Sequence, residues 1–461
     1  MVGKVLVIGL DCATPQLVFD KWLEKLPNIK KIASEGAFGK LKTVIPPITC
    51  PAWMCMMTGK PPNKLGVYGF RNRKGNSYSE IMIANSSEIK EKTVWDILSG
   101  LGKKSIIVGV PQTYPPKPLN GNMVTCFLTP SLESQFTYPP ELKDEVLRAT
   151  PGYMFDVEEF RTEDRDGVLK QIYDMTEARF KLMGHLMKSK EWDFAMVVEM
   201  GPDRMHHAFW KYFDKSHKKY EKGNKYEGEM LKYYQFLDKK IGELLEAVDD
   251  DTAVLIVSDH GAKAMKGCFC INEWLIKEGY LVLKSYPEKP TSLSKCEVDW
   301  AKTKAWAWGG YYSRVFLNVK GREELGLIPQ KEFENERQIL IRKLLAIPGP
   351  DGKPMKTIAD SAEGIYKEKC EGDVPDILAF FDDLQLRPAG TVGHNAIYLD
   401  ENDTGPDDAV RDWHGIFLIK EPDRKHTREL RGLSILDIAP TILSLMETEV
   451  PKDMKGKVID W

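Results

Sequence analysis

The sequence lacks the features that identify membrane and disulfide-stabilised proteins. Its apolar runs are all shorter than the roughly 20 residues that cross a bilayer, and the apolar stretch near the N-terminus stops at Asp11, where a secretory signal would continue. The eight cysteines are scattered without a C-x-x-C pair, which argues against a disulfide framework and a zinc knuckle. These absences predict reduced thiols, a cytoplasmic location and no membrane span.

The chain also lacks an excess of charge of either sign. Its 65 lysines and arginines nearly balance 68 aspartates and glutamates, which gives a net charge of −3. This balance provides no nucleic-acid-binding signature and no reason for attraction to an anionic membrane. Glycine and proline, 36 and 28 residues, follow no period, which excludes a collagen-like chain. With 42% hydrophobic residues over 461 positions, we expect two or three domains, or one large core with an insertion.

Short apolar and β-branched runs predict strands that are buried on both faces. These runs are Lys4–Leu10, Lys104–Val110, Phe194–Met200, Thr252–Ser258 and Asp376–Phe381. Helical patterns alternate with them at Pro51–Thr58, Thr93–Leu101, Asp166–Lys188, Lys225–Val248, Glu332–Ala346 and Ile435–Met446. This alternation is typical of an α/β fold, in which helices sandwich a mostly parallel sheet.

The pattern changes in two places along the chain. Between residues 279 and 362, strand-like pieces and the turn PGPDGKP indicate an inserted cap or subdomain. Residues 128–164 are rich in proline and aromatic residues and form a candidate lid segment. The main α/β core is therefore expected from residues 1–278 and 363–461.

Acidic and histidine side chains follow three of the predicted strands. Asp11 follows the first strand, Asp203 and His207 follow the third, and Asp259 and His260 follow the fourth. An aspartate at one such position commonly caps a turn or a helix. Ligands of open α/β sheets, however, bind beyond the carboxyl ends of the strands. Three such positions together predict a metal centre at that edge.

The spacing of these residues indicates how they bind metal. Asp203 and His207 are four residues apart, so on a helix they share one face and can hold one ion. Asp259 and His260 are consecutive, and at a turn they can face two different ions. Aspartate and histidine together suit Zn²⁺ or Mn²⁺ better than Ca²⁺ or Mg²⁺.

Thr49 lies in the run Pro46-Pro47-Ile48-Thr49-Cys50-Pro51. Pro51 favours the first turn of a helix, which puts Thr49 at or just before a helix N-terminus. A threonine there commonly serves as the N-cap. A helix N-terminus also stabilises phosphates, and a metal-bound hydroxyl is a nucleophile, so the nearby ligands favour a catalytic role.

Several of these motifs together resemble the alkaline phosphatase superfamily, in particular its type I phosphodiesterase/nucleotide pyrophosphatase branch. The motifs are GLDCAT at 9–14, PPITCPAW at 46–53, TGKPPNKLGV at 58–67, GPDRMHHAFW at 201–210, SDHGA at 258–262, INEWL at 271–275 and HGIFLI at 414–419. They occur in the family's order and extend over most of the chain. The resemblance implies an alkaline-phosphatase-like fold and a metal-dependent hydrolytic core.

The resemblance also implies roles for individual residues. It implies two divalent ions, usually Zn²⁺ with Mn²⁺ as the alternative, of which the first is bound by Asp11, Thr49, Asp259 and His260. The second would be bound by Asp203, His207 and a histidine from the C-terminal part. Thr49 would attack phosphorus and form a phosphothreonine, which water activated at the second ion would hydrolyse.

The chain departs from the family pattern at the third ligand of the second ion. Arg411 occupies the position that aligns with the family's histidine, and His414 and His394 are the nearby alternatives. We choose His414 because it adjoins the HGIFLI motif; alternatively, this histidine packs on Trp413 or is exposed.

A second departure concerns substrate recognition. Phe70 stands where nucleotide pyrophosphatases often have a phosphate-binding asparagine, which weakens the case for a nucleotide substrate. Tyr68 and Phe70 are candidates to stack on an aromatic leaving group, and Lys266 is a candidate to bind phosphate. Core packing of the two aromatics and a solvated lysine are the alternatives.

We therefore expect a phosphodiesterase or nucleotide pyrophosphatase that acts on a small phosphorylated substrate, with a nucleotide as one candidate. A phosphomonoesterase or phosphomutase of the same superfamily is the alternative enzyme. A non-catalytic metal-containing module that binds phosphorylated ligands is the alternative of another class. The sequence leaves the oligomeric state open.

Overall fold

The computed structural model describes residues 2–422 and 427–461, and the chain divides into two compact units. The large unit comprises Met1–Leu65, Ala84–Ala262 and Arg411–Trp461, and the small unit comprises Gly66–Ile83 and Lys263–Val410. The predicted insertion, residues 279–362, lies within the small unit. That unit also includes residues 66–83, 263–278 and 363–410, so its bounds differ from those expected from the sequence.

Each of the six predicted helical segments corresponds to a helix, and the structure has further helices outside these segments. In chain order they are α1 (Pro27–Glu35), α2 (Thr49–Thr58), α3 (Pro62–Leu65), α4 (Val94–Gly100), α5 (Leu142–Ala149), α6 (Arg165–Ser189), α7 (Gly201–Phe213), α8 (Glu229–Leu245), α9 (Ile271–Lys277), α10 (Phe333–Leu345), α11 (Ala362–Tyr366) and α12 (Ile438–Leu445). None of the helices within the described ranges combines the length and the apolar character that a bilayer span requires.

The strands are more numerous than the five predicted runs; β1 has the predicted bounds, and the other four runs form shorter strands. In chain order they are β1 (Lys4–Leu10), β2 (Ala37–Lys42), β3 (Arg71–Arg73), β4 (Ile81–Ile83), β5 (Ser105–Val108), β6 (Gly121–Val124), β7 (Thr137–Tyr138), β8 (Phe194–Glu199), β9 (Thr252–Val257), β10 (Gly261–Ala264), β11 (Gly267–Cys270), β12 (Thr291–Ser292), β13 (Ala305–Trp308), β14 (Ser313–Leu317), β15 (Ile358–Asp360), β16 (Ile377–Phe380), β17 (Leu386–Ala389), β18 (Thr391–Val392), β19 (Tyr398–Leu399), β20 (Ala409–Asp412), β21 (His414–Lys420) and β22 (Arg428–Ser434).

The large unit contains a sheet with the order β22-β2-β21-β9-β1-β8-β5-β6-β7. Its centre is parallel, since β1 pairs in parallel with both β8 and β9, and β5 pairs in parallel with β8 and β6. Strand β21 and the edge strand β7 run antiparallel to their neighbours. The central strands are almost wholly buried, as their continuous Val, Ile and Leu content requires. The predicted α/β fold with a mostly parallel sheet is confirmed.

The predicted lid segment, residues 128–164, lies in the large unit. It supplies the edge strand β7, which pairs with β6, and helix α5. Helix α6 follows it and packs against α7 and α8. The first part of the segment is therefore attached to the main sheet.

The small unit has its own sheet, with the order β13-β14-β16-β15, and its own core. All three pairings in this sheet are antiparallel. The run Asp376–Phe381 forms β16 here, so the prediction that it belongs to the parallel sheet is wrong. A continuous apolar run indicates burial on both faces. One face of β16, with Ile377 and Ala379, packs into the core of the small unit, and Phe380 on the other face stacks on Tyr312.

Candidate metal centre in the large unit

Three parallel strands bring the predicted ligands to one edge of the large unit. Strand β1 lies between β8 and β9, and its last residue, Leu10, is level with Glu199 at the end of β8. Asp11 follows β1, Asp259 and His260 follow β9 after one residue, and β8 leads into α7 with its Asp203. The strand order therefore makes residues from distant parts of the chain neighbours, as the sequence predicts.

Asp11, Asp259 and His260 form a compact, fully buried cluster. Each offers one ligand atom, and these atoms all lie within 4.8 Å of one another; within residues 2–422 and 427–461 this is the one such group of three. His260 Nε2 is 3.1 Å from Asp259 Oδ2 and 4.0 Å from Asp11 Oδ1. The two consecutive residues thus point into one cluster and not toward two different positions. The hydroxyl of Ser258 donates to the His260 carbonyl at 2.6 Å and tightens the turn between them.

Two carboxylate oxygens of the cluster have no hydrogen-bond donor within the protein. Asp11 Oδ2 accepts a hydrogen bond from Trp53 Nε1 at 2.7 Å, and Asp259 Oδ1 accepts one from the Cys12 amide at 3.1 Å. Asp11 Oδ1 and Asp259 Oδ2 are buried and have no hydrogen-bond partner. Because a buried carboxylate without a partner is strongly destabilising, a divalent ion fits this position. Two carboxylates and an imidazole are a donor set that Zn²⁺ or Mn²⁺ accepts.

Trp53 reaches Asp11 because β1 has a glycine beneath the indole ring. A Cβ at Gly9 would lie 2.5 Å from the ring atom Cη2 of Trp53, closer than any side chain tolerates. The glycine therefore allows α2 to lay Trp53 across β1. Trp53 was part of a family motif in the sequence, but its role as the partner of Asp11 follows only from this contact.

Burial dominates the acid–base behaviour of the cluster. It raises the pKa of Asp11, an effect that the positive charge of Arg411 partly offsets. It also raises the pKa of Asp259 well above the usual value, and the negative charge of Asp11 adds to the rise. Burial lowers the pKa of His260 to about 3, so its imidazole is neutral at physiological pH. A neutral imidazole is the form that binds a metal ion.

Thr49 is the first residue of α2, and its buried hydroxyl faces the cluster. Thr49 Oγ1 is 3.3 Å from His260 Nε2 and 3.4 Å from Arg411 Nη2. The N-cap of α2 is Ile48, whose backbone is extended and whose side chain makes no capping bond. The threonine hydroxyl is thus available at the helix N-terminus, where anions bind favourably.

The second predicted pair, Asp203 and His207, lies on the first turns of α7 with its ligand atoms facing Arg411. His207 Nε2 is 3.4 Å from Asp203 Oδ1. Arg411 Nη1 contacts that same carboxylate oxygen and lies 3.0 Å from His207 Nε2. Arg204 Nη1 donates to the other oxygen, Asp203 Oδ2, at 2.6 Å. This pair therefore does not fit a metal ion, because its ligand atoms already bind two guanidinium groups.

The predicted third ligand of the second ion lies apart from that pair. His414 is exposed, begins β21 and is paired with Lys42 in the sheet. It does not join Asp203 and His207 in a three-residue ligand group among the described residues. The alternative, His394, belongs to the small unit, where its Nε2 lies 2.7 Å from the hydroxyl of Thr391.

The predicted substrate-binding residues Tyr68, Phe70 and Lys266 all belong to the small unit. Tyr68 is buried, donates to the Glu371 carbonyl at 2.9 Å and has a raised pKa because of its burial. Lys266 is largely exposed and forms an ion pair of 2.8 Å with Asp382, while Phe70 is partly exposed. Their role in substrate binding stays a prediction.

Comparisons with known proteins give a family match and several matches of fold. The family model described as type I phosphodiesterase/nucleotide pyrophosphatase matches residues 5–407. Comparison with curated protein sequences gives no match.

Two solved structures illustrate the shared fold. Human ectonucleotide pyrophosphatase/phosphodiesterase 5 is 14% identical, with a TM-score of 0.57 over 98% of this chain and 97% of that one. Phosphonoacetate hydrolase from Sinorhizobium meliloti 1021, in complex with phosphonoacetate, is 16% identical, with a TM-score of 0.60 over 95% of this chain and 94% of that one.

A third structure carries a nucleotide. It is an inactive variant of murine ectonucleotide pyrophosphatase/phosphodiesterase 5 in complex with AMP, 13% identical, with a TM-score of 0.55 over 97% of this chain and 96% of that one. Together these structures confirm the alkaline-phosphatase-like architecture.

Proposed function

The chain belongs to the type I phosphodiesterase/nucleotide pyrophosphatase family and is a hydrolase of phosphoric esters, and we propose that it is a divalent-metal-dependent phosphodiesterase with Thr49 as its nucleophile. The observation that supports this most directly is the pair of unpartnered, buried oxygens of Asp11 and Asp259 beside His260 and the Thr49 hydroxyl. A buried site of this kind is poised for a cation and a phosphate together.

Asp11, Asp259 and His260 would hold the ion, and Thr49 would be its fourth protein neighbour. A bound Zn²⁺ or Mn²⁺ supplies Lewis acidity and neutralises charge on the phosphoryl oxygens. Zinc is the first choice because the cluster joins an imidazole to carboxylates.

The chain's own residues then account for the transfer. With a diester, the Thr49 hydroxyl loses its proton and its oxygen forms a bond to phosphorus as the bond from phosphorus to the leaving group breaks. The leaving oxygen takes up a proton and departs as an alcohol, and the intermediate is a threonine-linked phosphodiester that keeps the second ester group. Water subsequently attacks phosphorus, and the bond to the Thr49 oxygen breaks. Phosphoryl transfer needs positioning and charge stabilisation more than covalent assistance. The N-terminus of α2 and the guanidinium of Arg411, 3.4 Å from Thr49 Oγ1, provide positive potential at the oxygens involved.

The sequence also predicts a second ion on Asp203, His207 and His414. That ion would require the carboxylate and imidazole atoms that Arg411 contacts, and His414 is exposed. We therefore assign the metal-dependent chemistry to Asp11, Asp259 and His260.

A small phosphorylated compound is the proposed substrate class. The murine relative binds AMP, and the bacterial relative binds phosphonoacetate, so both structures hold small anions with a phosphorus centre. A nucleotide diester is one candidate within this class. We also propose a cytoplasmic location, because all eight cysteines are free thiols.

The test is hydrolysis of bis-p-nitrophenyl phosphate by the purified protein, with Zn²⁺ or Mn²⁺ added after chelation, compared for wild type and Thr49→Ala. We expect metal-dependent cleavage in wild type, and in the variant a loss of at least 100-fold while bound metal is retained, since Asp11, Asp259 and His260 remain. Thr58→Ala is the matched control, because Thr58 lies on the same helix and donates only to the Met54 carbonyl. Full activity of Thr49→Ala would rule out the covalent step.

The same assay separates the alternatives. Preferred cleavage of p-nitrophenyl phosphate would indicate a phosphomonoesterase or phosphomutase. Bound metal without cleavage of either compound would favour a module that only binds phosphorylated ligands.

A further inference from the structure

A guanidinium group lies where the family pattern has the third ligand of a second ion. Arg411 is fully buried and contacts Asp203, His207 and Thr49 through its two terminal nitrogens. We propose that Arg411 replaces the second metal ion, so that this centre works with one divalent ion and one fixed arginine charge. This inference rests on the proposed function, because it assumes that Asp11, Asp259 and His260 bind the first ion.

The contact between Arg411 and His207 determines whether the ring nitrogen of His207 can bind a metal ion. An arginine side chain only donates hydrogen bonds and does not lose its proton in proteins. His207 Nε2, 3.0 Å from Arg411 Nη1, must therefore accept, which uses the lone pair that a metal ion would need. The ring packs against Phe160, with 5.8 Å between the ring centroids, which helps to hold it in this orientation.

The contacts of Asp203 lead to the same result. One of its oxygens contacts Arg411 and the other accepts from Arg204, so both are used. Arg204 is itself fixed, because Nε and Nη2 donate to the two oxygens of Asp156 at 2.8 and 2.5 Å. Here two carboxylates face two guanidinium groups, and the charges balance. The oxygens Asp11 Oδ1 and Asp259 Oδ2 accept no hydrogen bond from either guanidinium group, and the first ion is expected there.

A second ion and Arg411 cannot share this position. An ion bound to His207 Nε2 would lie about 2.1 Å from that nitrogen, hence at most about 5 Å from Arg411 Nη1. At that distance a dication and a guanidinium repel each other strongly, and they compete for the same oxygen of Asp203. Since Arg411 is fully buried and already in contact with three polar groups, it has to leave the site before an ion can enter.

Arg411 can also supply the positive charge that a second ion would supply next to the phosphoryl group. Its Nη2 is 3.4 Å from the Thr49 oxygen, so a phosphoryl group bonded to that oxygen comes within reach of the guanidinium. Arginine binds phosphoryl oxygens through two parallel donors and stabilises the charge that develops there. Arg411 is therefore a catalytic residue of the proposed reaction, in contact with the reacting atoms.

The test is the metal stoichiometry of the full-length protein, independent of activity. Protein saturated with Zn²⁺ or Mn²⁺ and then dialysed is analysed for metal per chain, and the Mn²⁺ form is examined by electron paramagnetic resonance. We expect one ion per wild-type chain and the spectrum of an isolated Mn²⁺. Arg411→His frees Asp203 and His207 and supplies a third ligand, so it should bind two ions with a spin-coupled spectrum. Arg431→His, the same change at an exposed arginine, should stay at one.

Two single substitutions that keep Arg411 test the proposal even if Arg411→His does not fold. His207→Ala should leave the stoichiometry at one, whereas Asp259→Asn should remove the ion. Two ions in wild type, one of them lost in His207→Ala, would overturn the role of Arg411 while leaving the proposed function intact. No bound ion in wild type, with no metal-dependent cleavage, would overturn the proposed function itself.

Discussion

The hydrogen bond between Trp53 and Asp11 should set the metal affinity of the centre. The change that tests it is Trp53→Phe, which removes the indole N–H and retains most of the apolar volume. Asp11 Oδ2 accepts this bond at 2.7 Å, and its other oxygen has no partner, so the variant leaves a fully buried carboxylate without any side-chain donor. The carboxylate then loses the contact that orients it toward the ion.

The magnitude follows from the contact that is lost. A hydrogen bond to a charged group contributes about 1.5–3 kcal/mol, and 1.4 kcal/mol corresponds to about a tenfold change in an equilibrium constant. The dissociation constant for Zn²⁺ should therefore rise roughly 10- to 100-fold, the range known for partners that orient metal ligands.

The assay is competition for Zn²⁺ between the protein and a chromophoric chelator. Trp192→Phe is the matched control, because Trp192 is also buried but donates to the Met187 carbonyl at 3.2 Å. An unchanged dissociation constant in Trp53→Phe, with the fold retained by circular dichroism, would refute the reasoning. So would an equal loss in the control.

Two further predictions concern the same cluster. Gly9→Ala puts a Cβ 2.5 Å from the Trp53 ring, so it should lower the free energy of unfolding, measured by chemical denaturation, by about 1–3 kcal/mol. The control is Gly100→Ala, whose Cβ meets no atom within 4 Å and which should not lower the stability. Equal stabilities of the two variants would contradict the close packing at Gly9. On acidification, bound Zn²⁺ should be lost at a pH above the usual carboxyl range. The reason is that burial raises the pKa of Asp11 and Asp259, and a proton competes with the ion for the same oxygen. Metal analysis between pH 8 and 4 checks this, and retention of the ion down to pH 4 would contradict it.

The sequence was sufficient to predict the strand ends that build the centre. The runs before Asp11, Asp203 and Asp259 are continuous and apolar, and such runs form strands in the middle of a parallel sheet. Because parallel strands end at one edge, the meeting of their polar residues could be predicted without coordinates. The strand at residues 376–381 was assigned to the wrong sheet, because burial on both faces does not specify which neighbours provide it.

The partners of the centre were less accessible to sequence reasoning. Arg411 was recognised as a departure from the family's ligand pattern, but its contacts with Asp203, His207 and Thr49 arise from residues more than 200 positions away. The position of the Trp53 ring depends on the absence of a side chain at Gly9, and the hydrophobic periodicity of the sequence does not reveal this contact. A sequence pattern shows which functional group is present at a position, whereas the tertiary fold determines which other groups it contacts.

The arginine at position 411 has a consequence for how this centre can change over generations. Histidine and arginine codons can differ by a single base, and Asp203 and His207 are already in place on α7. On the proposal made above, a single amino-acid replacement at this position separates a centre that needs one ion from one that needs two. A lineage carrying this chain could then change its demand for divalent metal by one amino-acid replacement, without changing Asp203 or His207.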